Sequence, residues 1–257
     1  MILLIFLFAF SATVQENHED IIKKAQTLAL QRDREKALQI LRFSVEKENQ
    51  NKAAAKKLVS SMNKIGEMLF TEKGQQLLET AESLVANDTK QAIDVYKEAL
   101  KIEEGNVLIE ARIARAHMLL DECDSAASQL ESLLSNHPWH EAGLFLQAQA
   151  SVCKKSIFIP NSMQIAAVGG GLESFYIIAA SLYVNKEYAK LVKEMDIAIK
   201  KFPEFSEFYW FRSEASAGLS QDNSKDIEKY NELCNSKSSS LPPIKNLVYS
   251  CKNKESE

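Results

Sequence analysis

Phe175–Pro203, FYIIAASLYVNKEYAKLVKEMDIAIKKFP, decides the fold class. Phe175, Ile178, Ala179 and Leu182 recur at spacings of three and four, which puts them on one face of an α-helix. Asn185-Lys186-Glu187-Tyr188 interrupts the pattern. Leu191, Met195 and Ala198 resume it, and Pro203 ends it. The spacing predicts two helices joined by a tight turn. Small residues such as Ala179 and Ala198 let paired helices approach closely, and the bulky ones fill the gaps between neighbouring pairs. Proline stops the second helix because it lacks an N–H and its ring clashes with the preceding turn.

The design repeats outward in both directions. On the C-terminal side, Tyr209, Trp210 and Ala217 lead through Ser220–Ser224 to Ile227, Tyr230 and Leu233. On the N-terminal side, Ile113, Ala114 and His117 lead through Asp121–Asp124 to Ala126, Leu130, Leu133 and Pro138. Before that, Leu77, Ala81 and Leu84 lead to Ala92, Tyr96 and Ala99, with Asp88 or Thr89 placed to cap the second helix. Ala92 and Ala126 stand 34 positions apart. The first pair is predicted over Asn17–Leu30 and Asp33–Glu48, with its turn at Gln31-Arg32-Asp33-Arg34.

These residues resemble the tetratricopeptide repeat, a helix-turn-helix unit of about 34 residues. The resemblance implies an all-α superhelix of antiparallel helix pairs. It also implies that the first helix of each pair lines a concave groove that holds a peptide or protein segment. On that register Arg115, Met118, Tyr176, Ala180, Tyr183, Val184, Trp210 and Glu214 face the groove. Arg115, Met118, Tyr176, Tyr183 and Trp210 are the partner-binding candidates, since these residue types dominate interface energetics. Each serves equally well as packing between repeats. The lysine and asparagine set with which some members clamp a chaperone's terminal carboxylate is not matched, because Ile22 and Gln26 occupy the corresponding surface.

The spacing is not uniform. Ala37 lies 55 positions before Ala92, one repeat plus about one helix, and Lys52–Phe70 supplies a helical pattern there through Ala55, Leu58, Val59, Met62, Ile65 and Leu69. His140–Cys153 reads as a further helix. Lys154–Gly171 carries Pro160 and Gly169-Gly170-Gly171 and reads as a loop or short helix closing a damaged repeat. The chain therefore divides into an apolar leader (1–14), a helix pair plus an extra helix (15–70) and two repeats (71–138). A degenerate repeat with an irregular connector (139–171), two further repeats (172–236) and a Ser/Pro linker with a short terminal helix (237–257) complete it.

Composition agrees with a helical globular chain. Hydrophobic residues make up 46% and charged ones 26% of 257 residues, enough apolar surface to offset the entropy of ordering. Only 8 glycines and 5 prolines are present, too few for the turns of a β-sandwich or a doubly wound sheet. The net charge of -4 leaves no basic footprint for nucleic acid.

Ile2–Phe10 is an unbroken apolar run followed by Ser11-Ala12-Thr13-Val14. It is shorter than the roughly 20 residues a bilayer span needs and has the length of a signal-peptide core, although no Lys or Arg precedes it. The expectation is an exported protein, periplasmic or secreted and bacterial, and not integral to the membrane once the leader is cleaved. A cytoplasmic structural protein with a buried first helix is the alternative. Cys123, Cys153, Cys234 and Cys251 show no CxxC spacing. Two disulfides with three connectivities are possible, and the wide scatter favours mostly free thiols.

No catalytic, cofactor or metal site is predicted. His137 and His140 are three apart, but Pro138 sits where a repeat ends and no ligand of matching spacing accompanies them. Gly169-Gly170-Gly171 lacks the Lys-Ser/Thr pair and the strand of a phosphate-binding loop. Asp121-Glu122-Cys123-Asp124 would raise a thiol's pKa rather than activate it. The function expected is a non-catalytic interaction scaffold or adaptor for a protein or peptide partner, with no small-molecule substrate. An enzyme or metal-binding protein using 154–171 as a lid is the rival.

Overall fold

The computed structural model of the chain describes residues 17–48, 51–161, 164 and 171–235. The apolar leader, Gly169 and Gly170, and the Ser/Pro-rich tail lie outside the described residues. All regular structure among the described residues is helical. The helices are α1 (His18–Leu30), α2 (Arg34–Lys47), α3 (Lys52–Glu67), α4 (Glu72–Leu84), α5 (Thr89–Ile102), α6 (Val107–Leu119), α7 (Cys123–Asn136), α8 (Glu141–Lys154), α9 (Leu172–Val184), α10 (Tyr188–Lys201), α11 (Ser206–Gly218) and α12 (Ser224–Asn235).

The helix starts follow from side-chain chemistry. Asp33, Asn51, Thr71, Asp88 and Asn106 each accept a hydrogen bond from the backbone N–H three residues on, satisfying an orphan donor of the first turn. The ends of α1, α6, α8, α9 and α11 share one device. Each is followed by a non-glycine residue with positive φ: Arg32, Asp121, Lys155, Lys186 and Ser220. In each case the next amide reaches back to a carbonyl in the last turn: Asp33 to Leu28, Glu122 to His117, Ser156 to Ser151, Glu187 to Leu182 and Gln221 to Ser216. This 6→1 bond closes the helix and reverses the chain. Asp121 and Lys155 are 34 residues apart, as are Lys186 and Ser220. The repeat is thus written in the backbone even where side chains drift, and α8 is marked as the first helix of a unit.

Packing forms two rows. In the first row α1 lies on α3, α3 on α6, α6 on α8, α8 on α9 and α9 on α11. The second row holds α2, α7, α10 and α12, each packed on its sequence neighbour. The extra helix α3 is therefore a member of the first row. The α4–α5 hairpin stands to the side: α3 and α4 barely touch although consecutive, and the hairpin attaches through α5 against α6. Its contact is apolar, with Ala92, Tyr96 and Ala99 against Ile109, Ile113 and Ala116. After α8 the next described helix, α9, packs directly on α8.

A buried ion pair fixes the hairpin's base. The Arg34 guanidinium, at the start of α2, donates to the Glu103 carboxylate (3.1 Å) and to the carbonyls of Glu104 (2.5 Å) and Met68 (2.5 Å). The same carboxylate accepts from the amides of Phe70 (3.0 Å) and Thr71 (2.8 Å) and from the Thr71 hydroxyl (2.7 Å). Arg34 also stacks over the Phe70 ring at 4.4 Å. Burial pushes the Glu103 carboxyl up, but the bonds from Thr71, Phe70 and Arg34 outweigh it and hold the group below the usual range.

The cysteines overturn the expectation of mostly free thiols. Cys123 and Cys153 form a disulfide, with Cα atoms 6.2 Å apart. Cys123 opens α7 and Cys153 lies at the end of α8, so two antiparallel helices bring residues 30 positions apart to the same level. Asp124 and Lys154 pair beside it at 2.8 Å. Cys234 is disulfide-bonded too.

Candidate functional site

The C-terminal half carries a continuous aromatic seam. Phe145 on α8 meets Tyr176 on α9 (5.0 Å between ring centroids), and Tyr176 meets Phe211 on α11 (5.3 Å). Trp210 meets Phe211 (4.9 Å) and Tyr183 (5.1 Å). Tyr176 and Phe211 fall between the helices and are buried. Trp210 is the neighbour of Phe211 one step round α11, and Tyr183 lies on the face of Tyr176 but two turns on, at the end of α9; both are half-buried. The Tyr183 hydroxyl donates to the Glu214 carboxylate at 3.4 Å. Burial, and then the negative charge of Glu214, push the Tyr183 phenol up, so it keeps its hydrogen and acts as a donor. The result is a water-facing patch of two aromatic rings and one carboxylate spanning adjacent first-row helices.

The five residues expected to face a groove thus separate. Tyr183 and Trp210 are brought together on this patch. Tyr176 and Met118 are sealed in the core, with 1% and 0% of their surface exposed. Ala180 is buried with them. Arg115 lies apart, on α6, lining a crevice of about 10 Å³ with Glu82, Tyr96 and Arg112. That is room for about one water, not for a side chain of a partner. Arg112 pairs with Glu82 at 2.6 Å across it.

The residues after α8 border the patch. Along 156–161 exposed side chains alternate with half-buried ones. Phe158 packs into the aromatic core, and its carbonyl accepts from the Ser181 hydroxyl (2.9 Å) and the Asn185 amide (3.2 Å). Ile157 and Ile159 point outward and are 77% and 76% exposed. The sequence shows this strap only as the apolar run Ile157-Phe158-Ile159 ahead of Pro160, which carries no alternation to separate an outer from an inner face.

The His137–His140 turn is structural. Trp139 inserts among Leu41, Leu58 and Met62 of α2 and α3. His140 caps α8 by accepting the Gly143 amide at Nδ1 (3.1 Å). That leaves Nε2 to donate to Glu67 Oε1 on α3 (3.0 Å). Both ring nitrogens are engaged. Among the described residues no cluster of three or more His, Cys, Asp or Glu side chains is placed to hold a metal.

Two buried groups set opposing pH responses. Burial, helped by nearby His140, lowers His137 from the ordinary 6.5 to about 4. Burial raises Glu207 from 4.5 to about 7, outweighing the bonds its carboxyl accepts from its own backbone amide and from the Ser206 hydroxyl (3.0 Å). As pH falls from about 6.5 to 4, the unfolded chain takes up a proton at His137 that the folded one refuses, so stability is lost. As pH rises from about 4.5 to 7, the folded chain keeps a proton at Glu207 that the unfolded one releases, so stability is lost in the other direction. Urea titrations between pH 4.5 and 7.5 test this. Glu207→Gln gains on the parent by about 1–3 kcal/mol as pH rises. His137→Asn gains on it as pH falls. A pH-independent offset for either variant removes the assignment.

No protein-family model and no curated protein matches the chain. Solved structures do. MamA, residues 41 to the end, from Desulfovibrio magneticus RS-1 superposes with a TM-score of 0.52 at 13% identity, covering 64% of this chain and 95% of that one. A tetratricopeptide repeat protein from Parabacteroides merdae ATCC 43184 reaches a TM-score of 0.45 at 16% identity, covering 84% of this chain and 79% of that one. With its consecutive helix pairs, its turn recurring at 34 residues and the MamA superposition, the chain has the fold of a tetratricopeptide-like helical repeat array.

Proposed function

We propose that the chain is a non-catalytic adaptor that holds a segment of a partner protein against α9 and α11, and that it works outside the cytoplasm in a bacterial envelope. The repeat fold is a scaffold for protein interaction, because stacked pairs present a long continuous surface. The observation that carries the binding reading is the half-buried Tyr183–Trp210 pair at 5.1 Å beside Glu214. Two rings held rigid by Phe211 lose little entropy on contact, and the carboxylate adds a preference for a partner segment with a basic or hydroxyl side chain. Export is supported by the apolar run Ile2–Phe10 and by the disulfide, a bond that persists in oxidising compartments.

A photo-activated cross-linker at Trp210 in intact cells identifies the partner. The Tyr183→Ala/Trp210→Ala variant is then expected to bind it about 30-fold more weakly or worse, the loss typical of a central aromatic hot spot, with the helical circular dichroism retained. Unchanged affinity in the double variant sinks the site. Mass measurement of the cellular protein tests export, and recovery with Met1 intact from the cytoplasm sinks that part.

A further inference from the structure

The Tyr183–Trp210–Glu214 patch holds a negative charge that the described chain does not neutralise. Trp210 and Glu214 stand four positions apart on α11 and so share a face of the helix. Among the described residues no cation is paired with the Glu214 carboxylate. Its partner is the Tyr183 hydroxyl, at 3.4 Å, long for an O–H···O bond. The charges that act on the Tyr183 phenol come from Glu214 and Tyr188, and neither is positive. Arg212, two positions before Glu214 and so on the other side of the cylinder, is engaged by Asp196 (2.7 Å) and Asp226 (2.6 Å). Elsewhere the chain covers aromatic rings with its own cations: Arg34 over Phe70, Lys47 over Phe43, Lys201 over Phe175 and Phe202, and Arg212 over Tyr209. Among the described residues the Tyr183 and Trp210 rings carry no such cation. We propose, resting on the adaptor reading of this patch, that the partner segment carries an arginine whose guanidinium lies on the Tyr183 and Trp210 rings and bonds the Glu214 carboxylate.

The chemistry of the patch selects that group. A planar guanidinium stacks on an aromatic face and presents forked N–H donors that match a carboxylate, whereas a lysine ammonium is a strongly hydrated point charge. Half-burial screens the pair less than full exposure would, and the open side avoids the desolvation penalty of a sealed ion pair. The rings are already in place, because Phe211 packs on Trp210 at 4.9 Å and on Tyr183 at 5.8 Å, so little side-chain freedom is lost on contact. The Trp210 indole N–H meets no acceptor among the described residues, which leaves it to bond a backbone carbonyl of the same segment.

The test uses the full oxidised chain, with N-acetyl-arginine amide as the probe. Its titration is followed on the indole N–H resonance of Trp210, told from that of the buried Trp139 by the Trp210→Phe variant. N-acetyl-citrulline amide, of the same shape but uncharged, controls for stacking, and N-acetyl-lysine amide controls for charge. The arginine amide is expected to shift the resonance saturably and to bind about tenfold more tightly than either control. Glu214→Gln, with its helical circular dichroism retained, is expected to lower arginine binding to the citrulline level. Absence of a saturable shift, equal affinity for arginine and either control, or binding that survives Glu214→Gln overturns the proposal. The captured partner keeps the two readings apart. If Tyr183→Ala/Trp210→Ala weakens it and Glu214→Gln does not, the adaptor site stands and the arginine contact is lost. If the double variant leaves it unchanged, the adaptor site falls and the arginine contact with it.

Discussion

Glu103→Ala is expected to cost about 3–5 kcal/mol of unfolding free energy, the largest effect of any single surface-distant substitution in the N-terminal half. The Glu103 and Arg34 side chains are 1% and 5% exposed. Truncation leaves the guanidinium without its anion, and leaves the Phe70 and Thr71 amides and the Thr71 hydroxyl without their acceptor. Nothing nearby replaces these bonds, because the network joins three separate places in the chain: the start of α2, the α3–α4 loop and the α5–α6 loop. Glu103→Gln, which keeps the shape and one acceptor oxygen, should cost less than Glu103→Ala. Arg34→Met should also be severe, since it leaves a buried carboxylate facing a sulfur. Urea unfolding followed by circular dichroism measures all three. A Glu103→Ala loss under about 1 kcal/mol would mean that the α4–α5 hairpin is held by its apolar contact with α6 alone.

Breaking the Cys123–Cys153 bond is the second large effect. The bridge closes a loop of 30 residues, for which loss of loop-closure entropy in the unfolded chain predicts about 3–4 kcal/mol. The double variant Cys123→Ser/Cys153→Ser should melt roughly 10 °C lower than the oxidised parent. Adding reductant to the parent should reproduce at least that drop, and any further shift of the double variant in reductant reports the Cys234 disulfide alone. Because neighbouring units carry much of a repeat protein's stability between them, hydrogen exchange should speed up first in α7 and α8. A parent that melts identically with and without reductant rules out a stabilising bridge.

How far the chain could be read before folding depended on the distance between interacting residues. Turns were legible because their causes are local. The Gln31–Arg34 break became a reversal with Arg32 at φ 62, and Asp88 became a cap bonding the Gln91 amide. Helix faces were legible because a period of 3.6 marks the apolar side. The same period does not say which neighbour an apolar side meets. For Met118 and Tyr176 the period fits a groove and packing between repeats equally, and the two side chains are buried between helices. Pairings across the chain left no sequence mark at all. Glu67 meets His140 over 73 positions and Arg34 meets Glu103 over 69. Cys123 and Cys153 are 30 positions apart in sequence yet adjacent in space, because an antiparallel hairpin cancels the separation. The chemistry of Glu207 was hidden for a related reason: a charged residue in the first turn of a helix ordinarily faces water, and here its neighbours bury it.

The direct seating of α3 on α6 bears on how such a protein can change over generations. Since the first row passes from one to the other without α4 or α5, the intervening hairpin is an outgrowth rather than a link. Lineages can lengthen, exchange or discard it while the remaining units stay in register, provided that some other acid replaces Glu103 opposite Arg34. A graft at this branch point gives an engineer a place to add a specificity away from the site proposed at Tyr183 and Trp210.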